Sequence, residues 1–294
     1  MPSFDPVTAV TRALDILRVI NQLGRATVID IKKEIDMARP TIVRMIETLV
    51  HEGYVVRDPD RPVYSPSGKC LLLSNGFDRE LRLRQVGAPF LAEFRRKNGW
   101  PYSLAYFDAT AMVEVASTRE IGVVGARDRL VGRRIPLRVS SLGRAYLAFC
   151  PPEECAKILH RVSLNATQPD LEVSDEYLER ELAETRRRGY SRAEPAFMRL
   201  IHDTPVEAFG APIFVSGKVA ATVNVSYLTT ALSVEEAERV LVPELLNVAA
   251  AIGRAIEEDL GLATEARADA AGVEDRLAGH VPARSGDRPG LSGA

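Results

Sequence analysis

Arg39, Thr41 and Arg44 are the residues whose types and spacing first suggest chemistry. They open a segment in which Ile42, Met45, Ile46 and Leu49 share one face of a helix, while Thr41, Arg44, Glu47 and Thr48 share the other. Arginines near a helix N-terminus can donate to guanine O6 and N7 in a major groove, and a threonine can meet a phosphate or a thymine methyl. The helix N-terminus itself favours a phosphate. Pro40 suits a first helical turn, and Arg39, pushed out of helical geometry by the following proline, is expected at the cap position. Thr27, Pro40, Thr48, Arg57 and Arg61 complete the candidate DNA-contacting set. The same pattern is compatible with a solvated face on a protein-interaction module.

Catalytic chemistry is harder to assemble. The chain has no Gly-x-Ser-x-Gly elbow, no phosphate-binding Gly-x-x-x-x-Gly-Lys loop and no Gly-x-Gly-x-x-Gly fingerprint. His202 beside Asp203 would be a base with its orienter, but no paired Ser or Cys is identifiable, and loop polarity explains the pair. His51, His160 and His280 are scattered. Cys70, Cys150 and Cys155 have no zinc-type spacing and read as reduced cytosolic thiols, so no metal and no cofactor are expected. A small-acid hydrolase with an N-terminal interaction module remains the alternative class.

Elements must now position these residues. The 294 residues suit two domains and a tail, and the 46% hydrophobic content supports a sizeable core. No run of about 18 apolar residues exists, so no membrane contact is expected and the location reads as cytoplasmic. The net charge is −2, and the first 68 residues carry nine basic against nine acidic side chains. DNA affinity must therefore come from charge placement and from paired copies of the domain. Val10, Leu14, Leu17 and Ile20 predict one apolar face of a first helix that ends at Gly24. Thr27 with Asp30 predicts a capped second helix whose inward face is Val28, Ile31 and Ile35. The third helix is expected over 40–52, stopped by Gly53, with a β-wing over 54–65. Residues 67–98 read as a helical connector.

Farther on, strands are expected over 101–107 and 111–117, then a turn at Ser140 opening a helix to about Phe149. Helices follow over about 153–161 and 175–188, then a long loop to Pro205 and a hairpin over 208–227. A final helical stretch covers about 234–258, with Pro243 starting a new segment. The pattern is α+β. From Gly261 the composition lacks large apolar residues and predicts a disordered tail over 261–294.

The stretch TVIDIKKEIDMARPTIVRMIETLVHEGY, from Thr27 to Tyr54, resembles the helix-turn-helix of IclR-family regulators. Pro40-Thr41-Ile42-Val43-Arg44, Leu49, Gly53 and Tyr54 carry the likeness, and Pro40 stands where the family usually has serine. Ile135-Pro136-Leu137, then Ser140-Ser141-Leu142-Gly143-Arg144-Ala145, Arg188-Gly189-Tyr190 and Gly210-Ala211-Pro212-Ile213 look like landmarks of the family's effector-binding domain, which is GAF-like. The resemblance spans about residues 6–258. It implies a winged helix-turn-helix over 6–68, a linker region over 69–98 and an effector-binding domain over 83–260. Val131-Gly132-Arg133-Arg134 and Leu147-Ala148-Phe149-Cys150-Pro151 are similar to a subgroup controlling aromatic-acid, including phenylpropionate, catabolism.

What the resemblance implies is a DNA-binding transcriptional regulator, with activation preferred, acting as a dimer or tetramer on a pseudo-palindromic operator and able to engage RNA polymerase. Its effector would be a small carboxylic or aromatic acid. The family's pocket, carried over position by position, would be lined by Ile135, Ser141, Leu142, Val206, Ala208, Asn224 and Ser226. Ser140, Ser141, Asn224 and Ser226 would supply donors to a carboxylate, although cross-strand hydrogen bonding also accounts for Asn224 and Ser226. Arg127 or Arg129 could pair with an acid.

Overall fold

Helices α1 (Thr8–Leu23), α2 (Val28–Glu34) and α3 (Arg39–His51) close around Ile16, Ile20, Ile31, Ile42 and Ile46, all fully enclosed. The computed structural model describes residues 5–74, 76, 78–119, 132–164 and 173–278. Gly24 ends α1 at φ 72°. Thr27 starts α2 with a complete capping box, its hydroxyl accepting from the Asp30 amide while the Asp30 carboxylate accepts from the Thr27 amide. Strands β1 (Val55–Arg57) and β2 (Tyr64–Pro66) form the antiparallel wing, and Ala26 bridges Tyr64 to fasten it to the helices.

Two expectations here are corrected. Val10 and Leu14 are 56% and 59% exposed, and the buried face of α1 is Ile16, Leu17, Val19 and Ile20. Only the C-terminal half of α1 meets the core, which leaves Val10 and Leu14 outside it. The cap of α3 is Ala38, with Arg39 already helical. Proline is tolerated one position deeper in the first turn because no intrahelical acceptor awaits its missing N–H there.

A 3₁₀ turn, Gly68–Ser74, leads to α4 (Asp78–Asn98). Leu83, Leu91 and Phe94 of α4 belong to the core of the second domain, so most of the expected linker is built into that domain. Its sheet comprises β3 (Tyr102–Asp108), β4 (Ala111–Ser117), β5 (Arg134–Ile135), β6 (Ser191–Arg192), β7 (Val206–Val215) and β8 (Lys218–Leu228). The order is β5-β4-β3-β8-β7-β6 with every neighbour antiparallel, the α+β, GAF-like arrangement expected. The β7–β8 hairpin turns on Ser216 and Gly217, both at positive φ, as a two-residue turn requires.

Helix α4 and helix α9 (Val234–Ala278) cover one face, packing on Leu104, Phe209, Val223 and Val225. Helix α5 (Ser141–Phe149) lies on the other face, with α6 (Pro152–Ser163) and α7 (Asp175–Arg188) behind it and α8 (Pro195–Ile201) against β7. The expected loop to Pro205 therefore contains β6 and α8. Each is too short to show a period, although Pro195 in the first turn of α8 marks its start. Pro243 lies inside α9 rather than opening a new helix. Burial of Leu241, Val242 and Leu245 against the sheet outweighs the roughly 3 kcal/mol that an interior proline costs. The helix continues to Ala278, past the expected start of the tail at 261, because the Ala-, Glu- and Arg-rich sequence there has high helix propensity. Residues 279–294, including His280, lie outside the described residues.

Candidate functional site

The polar side of α3 and the wing carry the exposed Arg39, Pro40, Arg44, Thr48, Arg57 and Arg61, with Thr41 half-buried. Ile42, Ile46 and Leu49 lock the opposite side of α3 into the core, which fixes the direction of the polar side. Arg39, Arg44, Arg57 and Arg61 form no ion pair among the described residues, so their donors are free. Two of the candidate hydroxyls are not. Thr27 Oγ1 donates to Asp30 Oδ2 at 2.7 Å while accepting from the Asp30 amide, and Thr48 Oγ1 donates to the Arg44 carbonyl at 3.0 Å. Thr27 thus sets the start of α2, and its hydrogen bonds hold the Asp30 carboxyl below its ordinary range.

In the second domain the residues expected to line one pocket fall into three groups. Ile135 and Leu142 are buried with Met112, Tyr146 and Leu147. Val206 and Ala208 are buried with Val139, Phe197 and Met198 around α8. Only Ser141, Asn224 and Ser226 reach polar partners across the sheet. Asn224 Nδ2 donates to Ser141 Oγ at 3.4 Å, and Arg119 Nη2 donates to Ser226 Oγ at 3.2 Å. Ser140 is corrected from ligand donor to helix cap, since its hydroxyl accepts from the Gly143 amide at 2.9 Å and donates to the Pro136 carbonyl. The first turn of α5 also presses on β7, where a Cβ on Gly210 would overlap the Ser141 carbonyl. Arg127 and Arg129 lie outside the described residues.

A β-bulge decides which β4 residues share the polar face of the sheet. Ser103 pairs with Ser117 and Ala105 with Glu114, with the register shifting between Leu104 and Ala105. Val115 and Ala116 both turn into the core under α9, and Glu114 joins Ser117 on the opposite face. Asn224 lies opposite Ser103, and Thr222 opposite Ala105. Among the described residues, ten buried side-chain polar atoms lack a hydrogen-bond partner. Six gather here: Glu114 Oε2, Arg119 Nε and Nη1, His202 Nδ1, Thr222 Oγ1 and Asn224 Oδ1. Buried polar atoms are normally satisfied, so such a concentration among the described residues is unusual.

The charges agree. Glu114 is 1% exposed, and burial raises its carboxyl pKa against the opposing Arg133, whose Nε stands 3.8 Å from Oε2. Burial lowers the pKa of Arg119. His202, which ends α8, is pushed down to about 4 by burial and by Arg119 and Arg133. Sequence reasoning passed over Ser103, Glu114, Ser117, Arg119 and Thr222 and set His202 aside. One signal was available, a lone acid within Met112-Val113-Glu114-Val115-Ala116, where a strand otherwise reads as buried. A separate cavity of about 310 Å³ lies between α4, α9 and the start of β8, bordered by Leu83, Val86, Tyr106 and Ile256. None of the orphaned polar atoms faces it. No cluster of metal-binding side chains occurs among the described residues.

Comparisons with known proteins fall in line with this architecture. The family profile for the IclR helix-turn-helix domain matches residues 9–59, and that for the bacterial transcriptional regulator IclR C-terminal domain matches residues 79–254. The HTH-type transcriptional regulator XynR of Escherichia coli is 25% identical over 257 residues, covering 87% of this chain and 98% of that protein. The transcriptional repressor IclR of the same organism is 24% identical over 65% of this chain and 70% of that protein. A crystal structure of an IclR homologue from Microbacterium hydrocarbonoxydans, complexed with 4-hydroxybenzoate, superimposes with TM-score 0.63 at 24% identity, covering 85% of this chain and 100% of that one.

Proposed function

The chain belongs to the IclR family of bacterial transcriptional regulators, and on that premise we propose that it binds a pseudo-palindromic operator through paired copies of α3 and the wing, under control of a small organic acid bound on the polar face of its sheet. It is a DNA-binding regulator, and the hydrolase alternative finds no support in relatives that are named as regulators. The observation that carries the reading is the set of four unpaired arginines, Arg39, Arg44, Arg57 and Arg61, exposed on α3 and the wing while the rest of that domain is locked in its core. Arg39 and Arg44 read base edges, Thr41 and the start of α3 hold a phosphate, and Arg57 and Arg61 approach the backbone. Two or four subunits supply the paired helices, since one copy carries no net charge with which to bind DNA.

The acid enters beside Arg119, within reach of Ser141, Asn224 and Ser226. The neighbour holding 4-hydroxybenzoate supports an aromatic acid as effector. The proposed sign is activation with recruitment of RNA polymerase, carried by the likeness to the aromatic-catabolism subgroup. The relative named as a repressor requires that both directions be assayed. Among the described residues no helix is long and apolar enough to cross a membrane, and a DNA-binding role supports a cytoplasmic location. The test is a gel shift on the intergenic DNA upstream of its own gene, with and without a panel of aromatic and short-chain acids. A specific shift altered by one acid supports the reading. Binding that does not distinguish this DNA from random sequence at low salt overturns it.

A further inference from the structure

Cys150 and Cys155 meet at the corner where α5 gives way to α6. Pro151 is the N-cap of α6, so Cys150 stands one residue before the cap and Cys155 four residues after it. Those are the two positions whose side chains pack together across the start of a helix. Both cysteines lie in one core cluster with Leu147 and Ile158. Cys150 Sγ donates to the Leu147 carbonyl at 3.6 Å, and the two thiols share a hydrogen bond. Arg186 of α7 reaches the same corner, where its Nε donates to the Ala148 carbonyl at 2.7 Å. We propose that Cys150 and Cys155 form a peroxide-reactive dithiol, with Cys155 as the nucleophile and Cys150 as the resolving thiol, which closes into a disulfide between the end of α5 and the first turns of α6.

Two buried thiols alone would be ordinary core packing. The polar contacts set this pair apart and divide its roles. The hydrogen bond from Cys150 holds the Cys155 thiol below its ordinary range, with burial and Glu154 opposing and Arg186 assisting. The same contact, burial and Glu154 push the Cys150 thiol up. The thiolate is the attacking species, and a neighbouring cation favours it. Cys155 is 8% exposed and Cys150 5%, in a corner whose Pro151, Pro152 and Glu153 are exposed, so a small oxidant can reach the pair more readily than a bulky one. The Cys155 thiolate attacks one oxygen of hydrogen peroxide. An S–O bond forms, the O–O bond breaks, and the departing hydroxide takes up the proton that Cys155 gave up. The Cys150 sulfur then attacks the sulfenic sulfur. An S–S bond forms, the S–O bond breaks, and the departing hydroxide leaves as water with the Cys150 proton. Two thiols and one peroxide thus become one disulfide and two waters. Exchange with a small reducing thiol restores the pair, as suits a transient disulfide in a reducing compartment.

The experiment is peptide mass spectrometry on the full chain after treatment with hydrogen peroxide. The peroxide is removed, the chain is unfolded in guanidinium, and the remaining thiols are blocked with iodoacetamide. Trypsin cleaves after Arg144 and Lys157 and leaves both cysteines on one peptide, residues 145–157. The expected product is that peptide lighter by two hydrogens and without alkyl groups, returned to the dialkylated form when dithiothreitol precedes the block. Cys70, which donates to the Tyr54 carbonyl at 3.3 Å in a different core cluster, reports general oxidation of the chain. Cys150→Ala leaves Cys155 as a sulfenic acid that dimedone captures, whereas Cys155→Ala leaves Cys150 without such an adduct. Circular dichroism reports that both variants are folded, and the wild-type peptide is read independently of them. A wild-type peptide that stays dialkylated at the highest peroxide level the fold withstands overturns the proposal. Oxidation of either sulfur to a sulfinic acid without the disulfide overturns it as well. Dimedone capture at Cys150 in the Cys155→Ala variant overturns the division of roles.

Discussion

Replacing Arg144 tests how α5 is held over the sheet. The side chain is 1% exposed, yet its guanidinium donates Nε to the Arg138 carbonyl at 2.8 Å, Nη1 to the Arg192 carbonyl at 3.2 Å and Nη2 to Glu194 Oε2 at 2.9 Å. Glu181 adds an ion pair at 3.9 Å. One side chain thus ties α5 to the loop before it, to β6 and to α7. In Arg144→Met the stem still packs, but two carbonyls and Glu194 each lose a donor and Glu181 loses one of its two ion pairs. Removing one partner of a fully buried pair costs about 3–5 kcal/mol. Glu194 and Glu181 are 18% and 26% exposed, and Tyr177 still donates to Glu194 at 2.9 Å, so the low end applies, about 3 kcal/mol. For a domain of this size that is a fall in Tm of about 6–12 °C. Arg144→Lys also loses stability, because an ammonium cannot reach three acceptors in a fork. Thermal unfolding followed by circular dichroism provides the measurement. A Met variant within about 1 kcal/mol of wild type would mean that packing, not this charge network, holds α5, and the reasoning fails.

Three further outcomes follow from the geometry. Arg44→Ala weakens specific operator binding by about 1–3 kcal/mol and relaxes discrimination, whereas Arg57→Ala weakens all DNA alike and lowers the salt slope by about 1. Gel shifts over a salt series separate the two, and unchanged affinity in the Arg44→Ala variant removes Arg44 from the interface. His202 is neutral when folded, with burial first and then Arg119 and Arg133 lowering its pKa to about 4 and Asp203 opposing, so the unfolded chain takes up its proton first as pH falls. Its contribution to stability is complete above about pH 6.5 and is lost between about 6.5 and 4, about 3 kcal/mol in all. His202→Asn flattens urea midpoints across that window, and a variant with the wild-type slope excludes His202 as the source. Arg133 pairs with Glu114 and also borders a groove with Leu14, Leu17, Arg18 and Cys70 of the DNA-binding domain. Arg133→Gln keeps effector-free operator affinity within about threefold but shrinks the effector response, since a ligand acts only through a difference between two states. A full response in gel shifts rules out that route.

The helix-turn-helix was legible because its determinants are local. The Thr27–Asp30 capping box, the single helical turn between Ile42 and Ile46, and the Gly53 stop all act over three or four residues, the range over which spacing carries structural meaning. The strands from Tyr102 to Ser117 and the β7–β8 hairpin were legible for the same reason, with turns at Ala109 and at Ser216-Gly217. Short elements were not. β6 spans two residues and α8 seven, and neither completes enough turns or alternations to register as a period. Arg39 and Val10 were misplaced because neighbours rather than spacing decide them. The Thr41 amide finds the Ala38 carbonyl at 2.9 Å and draws Arg39 into the helix, while Val10 stays outside the core that Ile16 and Ile20 enter.

The polar face of the sheet shows the limit of spacing most directly. Alternation along β4 places residues 112, 114 and 116 on one face, which would set Glu114 beside Ala116 and away from Ser117. One inserted residue reverses that, because the bulge lets Val115 and Ala116 both enter the core and returns Ser117 to the side of Glu114. The groups that complete the face come from positions far apart, with Ser226 joining Arg119 across 107 residues and Asn224 joining Ser141 across 83. A family likeness carried over by position named Ser141, Asn224 and Ser226, which the structure sets on α5 and β8 with polar partners across the sheet. It passed over Glu114 and Arg119, whose direction depends on a local shift of register. The composition of this polar face thus rests on the feature least visible in the chain, the bulge itself. Any change that moved it by one residue would turn Glu114 into the core and leave Arg119 without its counter-charge.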